Sequence, residues 1–215
     1  MGTSSVDKRG AFIVLEGCDR TGKSTQSRQL LEFLQKRGVA VKRMAFPERK
    51  SNIGQTINAY LTNKKQISDE AIHLLFTANR WEFQNEMKEL LLSGTSLIVD
   101  RYLYSGVAYS TAKGLSYNWC LAPEKGLLRP DIVFYMKMKS IDGLLERGNF
   151  GDERYEKKEF QIKVSNVFED IYAKERRYWH EINAELAADD IHKEIVKQTE
   201  CLLKNLTDKT LEYMK

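Results

Sequence analysis

A glycine-flanked loop near the start of the chain constrains its fold more than any other sequence feature. Residues 11–16 read A-F-I-V-L-E, an apolar run with β-branched and aromatic side chains that predicts a buried strand. The next residues match G-x-x-x-x-G-K-[ST] at every fixed position, with Gly17, Gly22, Lys23 and Ser24. A strand that leads through such a loop into a helix indicates a parallel α/β sheet and a site for a nucleoside triphosphate.

The residue types in this loop suit a phosphate chain. Glycines let successive backbone N–H groups surround an anion, and the following helix points its positive N-terminal end toward it. Lys23 adds a positive charge for the β- and γ-phosphates, and the Ser24 hydroxyl can reach a Mg²⁺ ion. The alternative is a chance Gly-Lys-Ser turn before a helix, which leaves the preceding strand unexplained.

Length and composition indicate one globular domain spanning residues 1–215, with a disordered tail over residues 1–9. The net charge of +4, from 34 basic and 30 acidic residues, gives no sign of a nucleic-acid partner. Three scattered cysteines argue against a disulfide framework, and the N-terminus lacks the apolar core of a signal peptide. No apolar run approaches membrane-spanning length. We therefore expect no membrane partner and a cytoplasmic location, with the nucleus equally open.

Strand and helix patterns alternate along the rest of the chain. Further strands are predicted at residues 39–46, 96–100, 131–138 and 179–183. Helices are predicted at residues 24–37, 51–61, 69–92, 103–113, 160–177 and 189–206, with another that ends near residue 147. Residues 115–128 are predicted to be irregular, and residues 149–158 to form an exposed loop. This alternation predicts an α/β fold of three layers, a five-stranded parallel sheet flanked by helices.

Chemically distinctive residues follow three of the predicted strands. They are Cys18–Ser24 after the first strand, Pro47–Arg49 after the second and Asp100–Tyr102 after the third. Because ligands of parallel sheets bind at the carboxyl ends of the strands, these stretches are expected to converge on one crevice.

The run L-I-V-D-R-Y at residues 97–102 is an apolar strand that ends in an acidic residue, Asp100, at this crevice. Asp100 suits the role of a strand-end Asp that supports Mg²⁺ in phosphate-loop enzymes, and Arg101 offers a planar fork for a phosphate. The alternative is that Asp100 only caps the next helix and that Arg101 is a surface charge.

Asp19 and Arg20 lie inside the loop, where the pattern leaves the residue type open. An acid beside phosphates makes sense if Asp19 faces a hydroxyl or phosphate of a second substrate. Arg20 could stabilise the charge on a transferring phosphoryl group from within the loop. The alternative is that both are solvated loop charges.

Two further stretches each pair an aromatic residue with an arginine. Phe46 precedes Arg49, and Phe76 precedes Arg80. An aromatic ring can stack on a base while an arginine holds a phosphate, although a core Phe with a surface Arg is the equally ordinary interpretation. The polar stretch at about 147–158 has the glycine and arginine content of a lid that closes over a triphosphate.

These residues together resemble the thymidylate kinase family, in its eukaryotic-type branch among phosphate-loop nucleoside monophosphate kinases. The matching stretches occur in the family's order between residue 11 and about residue 160: L-E-G-C-D-R-T-G-K-S-T-Q, F-P-E-R, H-L-L-F-T-A-N-R-W-E, D-R-Y-L-Y-S-G-V-A-Y, P-D-I-V-F-Y and R-Y-E. The resemblance implies transfer of the γ-phosphoryl group of ATP to dTMP, with Mg²⁺, in a homodimer. The helix at residues 69–92 could supply the dimer's packing face.

The resemblance also implies roles for individual residues. ATP would be bound by Arg20, Thr21, Gly22, Lys23, Ser24, Thr25, Arg147 and Ala184, with Asn183 beside the adenine, and Mg²⁺ would be supported by Ser24 and Asp100. dTMP would be bound by Asp19, Phe46, Arg49, Phe76, Arg80, Arg101, Gly106, Tyr109 and Tyr155. Asp19, Arg20, Lys23 and Arg101 would be catalytic. Arg20 in the loop is what places the chain near the eukaryotic-type branch.

Within the acceptor site, the resemblance gives the contacts in more detail. Arg49 and Arg101 would hold the acceptor phosphate, Phe76 would stack on thymine, and Arg80 would bond its carbonyl edge.

Cys18 departs from the small or branched apolar residue expected in the loop, and its place near a helix N-terminus would favour a reactive thiolate.

Other functions remain open on the sequence alone. A deoxynucleoside kinase also places an acid–arginine pair after a central strand, but it needs no arginine for an acceptor phosphate. A kinase for a different monophosphate would share the scaffold. A nucleotide-dependent switch is a third alternative, although no guanine-selecting N-K-x-D string occurs.

Overall fold

The computed structural model describes residues 8–139, 153–206 and 210–215, and these fold around a five-stranded sheet. The strands are β1 Phe12–Glu16, β2 Val41–Ala45, β3 Ser96–Asp100, β4 Ile132–Lys137 and β5 Trp179–Asn183. They lie in the order β2-β3-β1-β4-β5, and every neighbouring pair is parallel. The predicted α/β fold with a five-stranded parallel sheet is confirmed.

Helices flank this sheet. Their bounds are α1 Lys23–Lys36, α2 Asn52–Leu61, α3 Asp69–Glu82, α4 Gln84–Leu92, α5 Leu103–Ala112, α6 Tyr117–Leu121, α7 Lys158–Glu175 and α8 Ala188–Lys204. The first of them packs against β2 and β3, and α5 packs against α7.

The central strand explains why the phosphate loop lies in the middle of the sheet. Every residue of β1 is buried, which fits an apolar run covered on both faces. Leu15 pairs with Asp100 of β3, and Ala45 of β2 pairs with the same residue. The carboxyl ends of these three strands are therefore level, so the loops that follow them open on one edge.

Two predicted elements differ from the structure. The helix predicted at residues 69–92 is divided at Phe83, whose backbone (φ −102°, ψ −1°) ends α3 and begins α4. The ring of Phe83 packs against Phe46 with centroids 6.0 Å apart. Residues 115–128 were predicted to be irregular, but Ser116 caps α6, which a short 3₁₀-helix at Ala122–Glu124 follows.

The chain ends are held at two points. The expected disordered tail at residues 1–9 does not extend to Arg9, whose guanidinium bonds both carboxylate oxygens of Asp131 at 2.8 and 2.7 Å. Residues 1–7 lie outside the described residues, as do residue 147 and the helix predicted before it. Near the other end, Met214 exchanges backbone bonds with Gly126 and Leu127, beside the 3₁₀-helix.

Candidate functional site

The phosphate loop joins β1 to α1 in a conformation that needs its glycines. Gly17 has φ +137° and Gly22 has φ +92°, values that residues with side chains rarely adopt. Gly22 is also the N-cap of α1. Because glycine has no side chain, no cap hydrogen bond is made to the first backbone N–H groups of the helix. This leaves backbone donors for an anion.

Lys23 begins α1 and is buried within the loop. Its ammonium donates to the carbonyl of Cys18 and, at 3.1 Å, to the hydroxyl of Thr21. Burial lowers the pKa of Lys23 to about 8, although the nearby carboxylates of Asp19 and Asp100 act in the opposite direction. An anion at the loop would favour the charged form of this side chain.

Asp100 lies directly opposite the loop. Its carboxylate accepts from the hydroxyl of Ser24, and its Oδ2 accepts from Arg43 Nη2 at 3.1 Å. The N-cap of α5 is Tyr102, with no side-chain cap bond, so Asp100 does not serve as the cap of that helix. A hydroxyl and a carboxylate together are oxygen ligands of the kind that Mg²⁺ prefers.

Asp19 makes three hydrogen bonds with two side chains and lines both clefts of the site. Arg101 Nη2 donates to Oδ1 and Gln161 Nε2 donates to Oδ2 at 2.6 Å, while Gln161 Oε1 accepts from the Asp19 backbone N–H at 3.0 Å. Burial alone would raise the pKa of Asp19, but the charges of Arg101 and Lys23 outweigh it and the net shift is downward. Asp19 is therefore a fixed carboxylate rather than a solvated loop charge.

Two arginines of the site pair with acids of the segment that precedes α7. Arg20, at φ +60°, donates from Nη2 to Glu156 at 3.0 Å. Arg49 bonds both carboxylate oxygens of Glu153, at 2.7 and 3.1 Å, and also Asn58. Phosphates that bind these arginines would have to share them with, or displace, these carboxylates.

Arg80 is buried, contrary to the interpretation of a surface charge. It is 2% exposed and donates to the carboxylate of Glu124, which is 0% exposed. Its guanidinium lies against the backbone of Gly106, where a Cβ would come within 2.6 Å of Arg80 Nη2. Phe46 is buried nearby as well, at 4% exposure.

The prediction of an exposed loop at 149–158 is wrong at Tyr155, which is buried among aromatic rings. Its ring stacks on Phe160 at 5.3 Å and lies 5.5 Å from Tyr109. Its hydroxyl donates to Tyr60 at 3.3 Å. A polar sequence pattern hides this burial because Tyr155 is the one buried residue among the described residues 153–158, and its neighbours are polar.

The site is divided into two clefts that meet. The first encloses about 670 Å³ including its open mouth, and it is lined by every residue predicted for dTMP: Asp19, Phe46, Arg49, Phe76, Arg80, Arg101, Gly106, Tyr109 and Tyr155. The second, about 810 Å³ by the same measure, is lined by the phosphate loop from Asp19 to Thr25 except for Thr21, which is buried. The residues shared by both clefts are Asp19, Arg101 and Glu156.

The remaining predicted residues have mixed outcomes. Ala184 follows β5 and is buried, with its N–H bonded to the carbonyl of Lys137, and it does not line either cleft. Arg147 lies outside the described residues. The expected reactive thiolate at Cys18 is wrong, because burial raises the pKa of this thiol to about 11.

Several residues of the site carried no recognisable signal in the sequence. Glu153 and Glu156 stand in a charged run that resembles any solvated loop, and Gln161 is one polar residue within a helical pattern. Arg43 is on β2, where alternation gives no hint of its contact with Asp100. Glu16 is a buried carboxylate whose Oε1 accepts from the backbone N–H groups of Tyr102 and Ser105, and burial raises its pKa. Its apolar surroundings suggested only a strand.

Comparisons with known proteins address the identity of such a site. A family model described as thymidylate kinase matches residues 15–195. The chain belongs to the thymidylate kinase family. A thymidylate kinase of Arabidopsis thaliana is 53% identical over 192 residues, which cover 89% of this chain and 72% of that relative. A thymidylate kinase of Homo sapiens is 41% identical over 205 residues, 95% of this chain and 96% of that relative.

The fold agrees with a solved member of the family. The structure of thymidylate kinase from Candida albicans superimposes with a TM-score of 0.83 at 34% identity, covering 96% of this chain and 99% of that one. Within the described ranges, no helix combines the length and apolar character needed to cross a bilayer.

Proposed function

We propose that this chain transfers the γ-phosphoryl group of ATP to dTMP, which gives ADP and dTDP for dTTP biosynthesis. Membership of the thymidylate kinase family supports the reaction. The observation that carries it at the level of the site is the junction of the two clefts at Asp19 and Arg101. A triphosphate in one cleft and a monophosphate in the other would meet there.

The phosphate loop binds the donor in this proposal. Backbone N–H groups of Thr21, Gly22 and Thr25 surround the phosphate chain, and Lys23 contributes its charge to the β- and γ-phosphates. Arg147 and Ala184 would contact ATP beyond the loop. Support for Ala184 comes from Gln26 of α1, which donates to Ala188 at 2.8 Å and so brings the loop after β5 beside the start of that helix.

Ser24 and Asp100 fit a Mg²⁺ ion that accompanies ATP. Both present oxygen atoms at the open end of α1, and Asp100 accepts from Arg43, which keeps its carboxylate in place. When bound, the ion would neutralise charge on the β- and γ-phosphates. Among the described residues, no group of three or more His, Cys, Asp or Glu side chains is arranged for a metal.

The acceptor cleft would hold dTMP with its phosphate toward the junction. Arg49 and Arg101 would bind that phosphate, and Asp19 would orient it and the sugar 3′-hydroxyl. Phe76 would stack on the thymine ring and Arg80 would donate to its carbonyl edge. Phe46, Gly106 and Tyr109 would close the cleft, with Tyr155 covering the nucleotide from the segment before α7.

Positioning and charge neutralisation carry the transfer. Two anionic nucleotides repel each other, so Lys23, Arg20 and Arg101 would cancel the charge and hold donor and acceptor oxygens in line. Arg20 would turn from Glu156 to the transferring group as the phosphates bind. No protein nucleophile is required, and closure of residues 147–158 over the site would exclude water that could otherwise accept the phosphoryl group.

A homodimer and a cytoplasmic or nuclear location complete the proposal. Leu74 and Trp81 are seven residues apart on α3 and therefore lie on one face, and they are 46% and 41% exposed. An apolar helix face of this kind supports α3 as part of a subunit contact.

An acceptor panel tests the proposed reaction. The protein is incubated with ATP and Mg²⁺ together with dTMP, thymidine, dCMP, AMP or no acceptor, and products are identified by chromatography. dTDP with dTMP, and no product with thymidine, is the expected result. Product from thymidine would favour a deoxynucleoside kinase, and loss of ATP at the same rate without an acceptor would favour a nucleotide-dependent switch.

Arg49→Ala separates these enzymes further. The variant removes a cation that only a phosphorylated acceptor needs, so kcat/KM for dTMP should fall by about 100-fold or more, the loss of a charge-assisted contact to a phosphate. The KM for ATP should stay within about twofold. Near-normal turnover of dTMP would remove Arg49 from the acceptor site.

A further inference from the structure

Arg80 and Glu124 form a buried ion pair at the wall of the acceptor cleft. Their side chains are 2% and 0% exposed. Arg80 lines the cleft, whereas Glu124, from the 3₁₀-helix Ala122–Glu124, does not. Because desolvating two charges is costly, a pair placed here is weak evidence for stability alone. Its position behind the cleft wall points to a role in the site.

The geometry of the pair fixes one edge of the guanidinium. Glu124 Oε2 accepts from Arg80 Nε at 2.9 Å, and Oε1 accepts from Arg80 Nη2. Thr77, one turn before Arg80 on α3, donates from Oγ1 to Glu124 Oε1 at 2.7 Å and accepts from Arg80 Nη2 at 3.3 Å, so it holds both members of the pair. Arg80 Nη1 donates to no acceptor among the described residues. The Nε and Nη2 edge of the guanidinium is therefore bonded to Glu124, and the N–H groups of Nη1 are left for a ligand.

Packing removes the alternative orientations of the fork. A Cβ on Gly106 would lie 2.6 Å from Arg80 Nη2 and 3.1 Å from Cζ, so the guanidinium is in contact with the backbone of α5 on that side. The bonds to Glu124 on one edge and the close contact with the Gly106 backbone together leave the guanidinium little rotational freedom. An arginine held in this way presents donors in a fixed direction at no ordering cost when a ligand binds.

We propose that Glu124 is a positioning residue that sets the direction of the Arg80 donors and thereby selects acceptor bases with a carbonyl, rather than an amino group, on the facing edge. The inference rests on the proposed function, in which Arg80 contacts the base of dTMP. A guanidinium has donors only, so it bonds a carbonyl and leaves the amino group of a cytosine without a partner. Discrimination between a carbonyl and an amino group on the base then depends on how rigidly the Arg80 N–H groups are held in one direction.

Glu124→Gln tests this by removing one charge at nearly constant volume. The expected result is a rise in KM for dTMP of about tenfold or more, since a bond to a charged group is lost. The ratio of kcat/KM for dTMP over dCMP should fall by a similar factor, while KM for ATP stays unchanged. Glu89→Gln, an exposed carboxylate on α4, is the matched control and should alter none of these constants.

A double-mutant cycle separates positioning from a general effect on folding. In the Arg80→Ala background, Glu124→Gln should produce no further change in KM for dTMP, because Glu124 acts through Arg80. Additive losses in the cycle would overturn the inference. Thr77→Val is the milder variant if Glu124→Gln folds poorly; it should raise KM for dTMP in the same direction by a smaller factor, with near-native melting behaviour.

The outcomes distinguish this inference from the proposed function. If Arg80→Ala raises KM for dTMP and both Glu124→Gln and Thr77→Val leave it unchanged, the positioning role of Glu124 is wrong while the base contact of Arg80 stands. If Arg80→Ala leaves the KM and the dTMP-over-dCMP ratio unchanged, the base contact itself fails and the inference falls with it.

Discussion

Lys23 is an ammonium group that folding has taken out of water before any ligand arrives. It is 4% exposed, and its described partners are the neutral oxygens of Cys18 and Thr21. Burial lowers its pKa to about 8, which means that part of the free enzyme loses this charge within an ordinary assay range. In the proposed donor site, binding of a phosphate chain would favour the charged form, which links nucleotide binding to the protonation of Lys23.

This linkage predicts a pH dependence of ATP affinity. Below pH 8 the Kd of ATP should be nearly constant, because Lys23 is already protonated. Above pH 8 the Kd should rise by up to about tenfold per pH unit, because binding must then take up a proton. Titration calorimetry between pH 7 and 9.5 measures it, and Lys23→Ala should flatten the profile; a wild-type Kd that stays level over this range would contradict the assignment.

Cys18 illustrates the opposite consequence of burial. It is 5% exposed and its thiol has a pKa raised to about 11, whereas Cys201 on α8 is exposed. At pH 7.5 iodoacetamide should therefore modify Cys201 at least about tenfold faster than Cys18, since only the thiolate reacts. Mass spectrometry of timed digests gives both rates, with the unfolded protein as a control in which the rates converge. Equal rates in the folded protein would mean that the loop opens readily.

At the scale of elements, the segment between residue 153 and α7 is where the acids meet the arginines. Glu153 pairs with Arg49 and Glu156 pairs with Arg20, so one short stretch contacts an arginine from each cleft. Both pairs are partly exposed, and pairs of this kind contribute only about 0.2–1 kcal/mol. Phosphates that carry more charge can replace them at low cost. The segment thus holds the arginines in the site without competing strongly for them.

Glu156→Gln tests this exchange. Removing the carboxylate removes a competitor for Arg20, so the Kd of ATP should fall by about two- to fivefold, in line with the small value of such a pair. Glu159→Gln, an exposed acid on the first turn of α7, removes the same charge without that contact and should leave the Kd unchanged. A weaker binding of ATP to the Glu156→Gln variant would show that the carboxylate supports the nucleotide instead.

The elements also show which features a sequence can reveal. β1 and the loop after it are local features that depend on one continuous stretch of sequence. The pattern of that stretch therefore predicted both the strand and the glycine-dependent turn. The division of α3 from α4 at Phe83 was missed because apolar spacing continues through it. Glu124 was missed for a different reason: its contact with Arg80 joins residues 44 positions apart, and no local pattern records such a pair.

At the scale of the whole molecule, strand order places the two clefts side by side. β1 lies between β3 and β4, so the phosphate loop after β1 is next to Asp100 and Arg101 after β3. α5 and α7 then complete the acceptor side, where α7 contributes Gln161 to the carboxylate of Asp19. The sheet therefore brings together residues from distant parts of the chain. The clefts share Asp19, Arg101 and Glu156, which is the basis for the proposal that two nucleotides meet there head-on.

A bisubstrate ligand measures this arrangement most directly. Adenosine and thymidine joined 5′ to 5′ by five phosphates would occupy both clefts at once, and adenosine tetraphosphate serves as the control for added charge. Calorimetry in the presence of Mg²⁺ should give a Kd at least about tenfold below that of either control, ATP or adenosine tetraphosphate, because the second half binds intramolecularly. The ligand should also displace both ATP and dTMP. A Kd no lower than that of adenosine tetraphosphate, or displacement of ATP alone, would contradict the account.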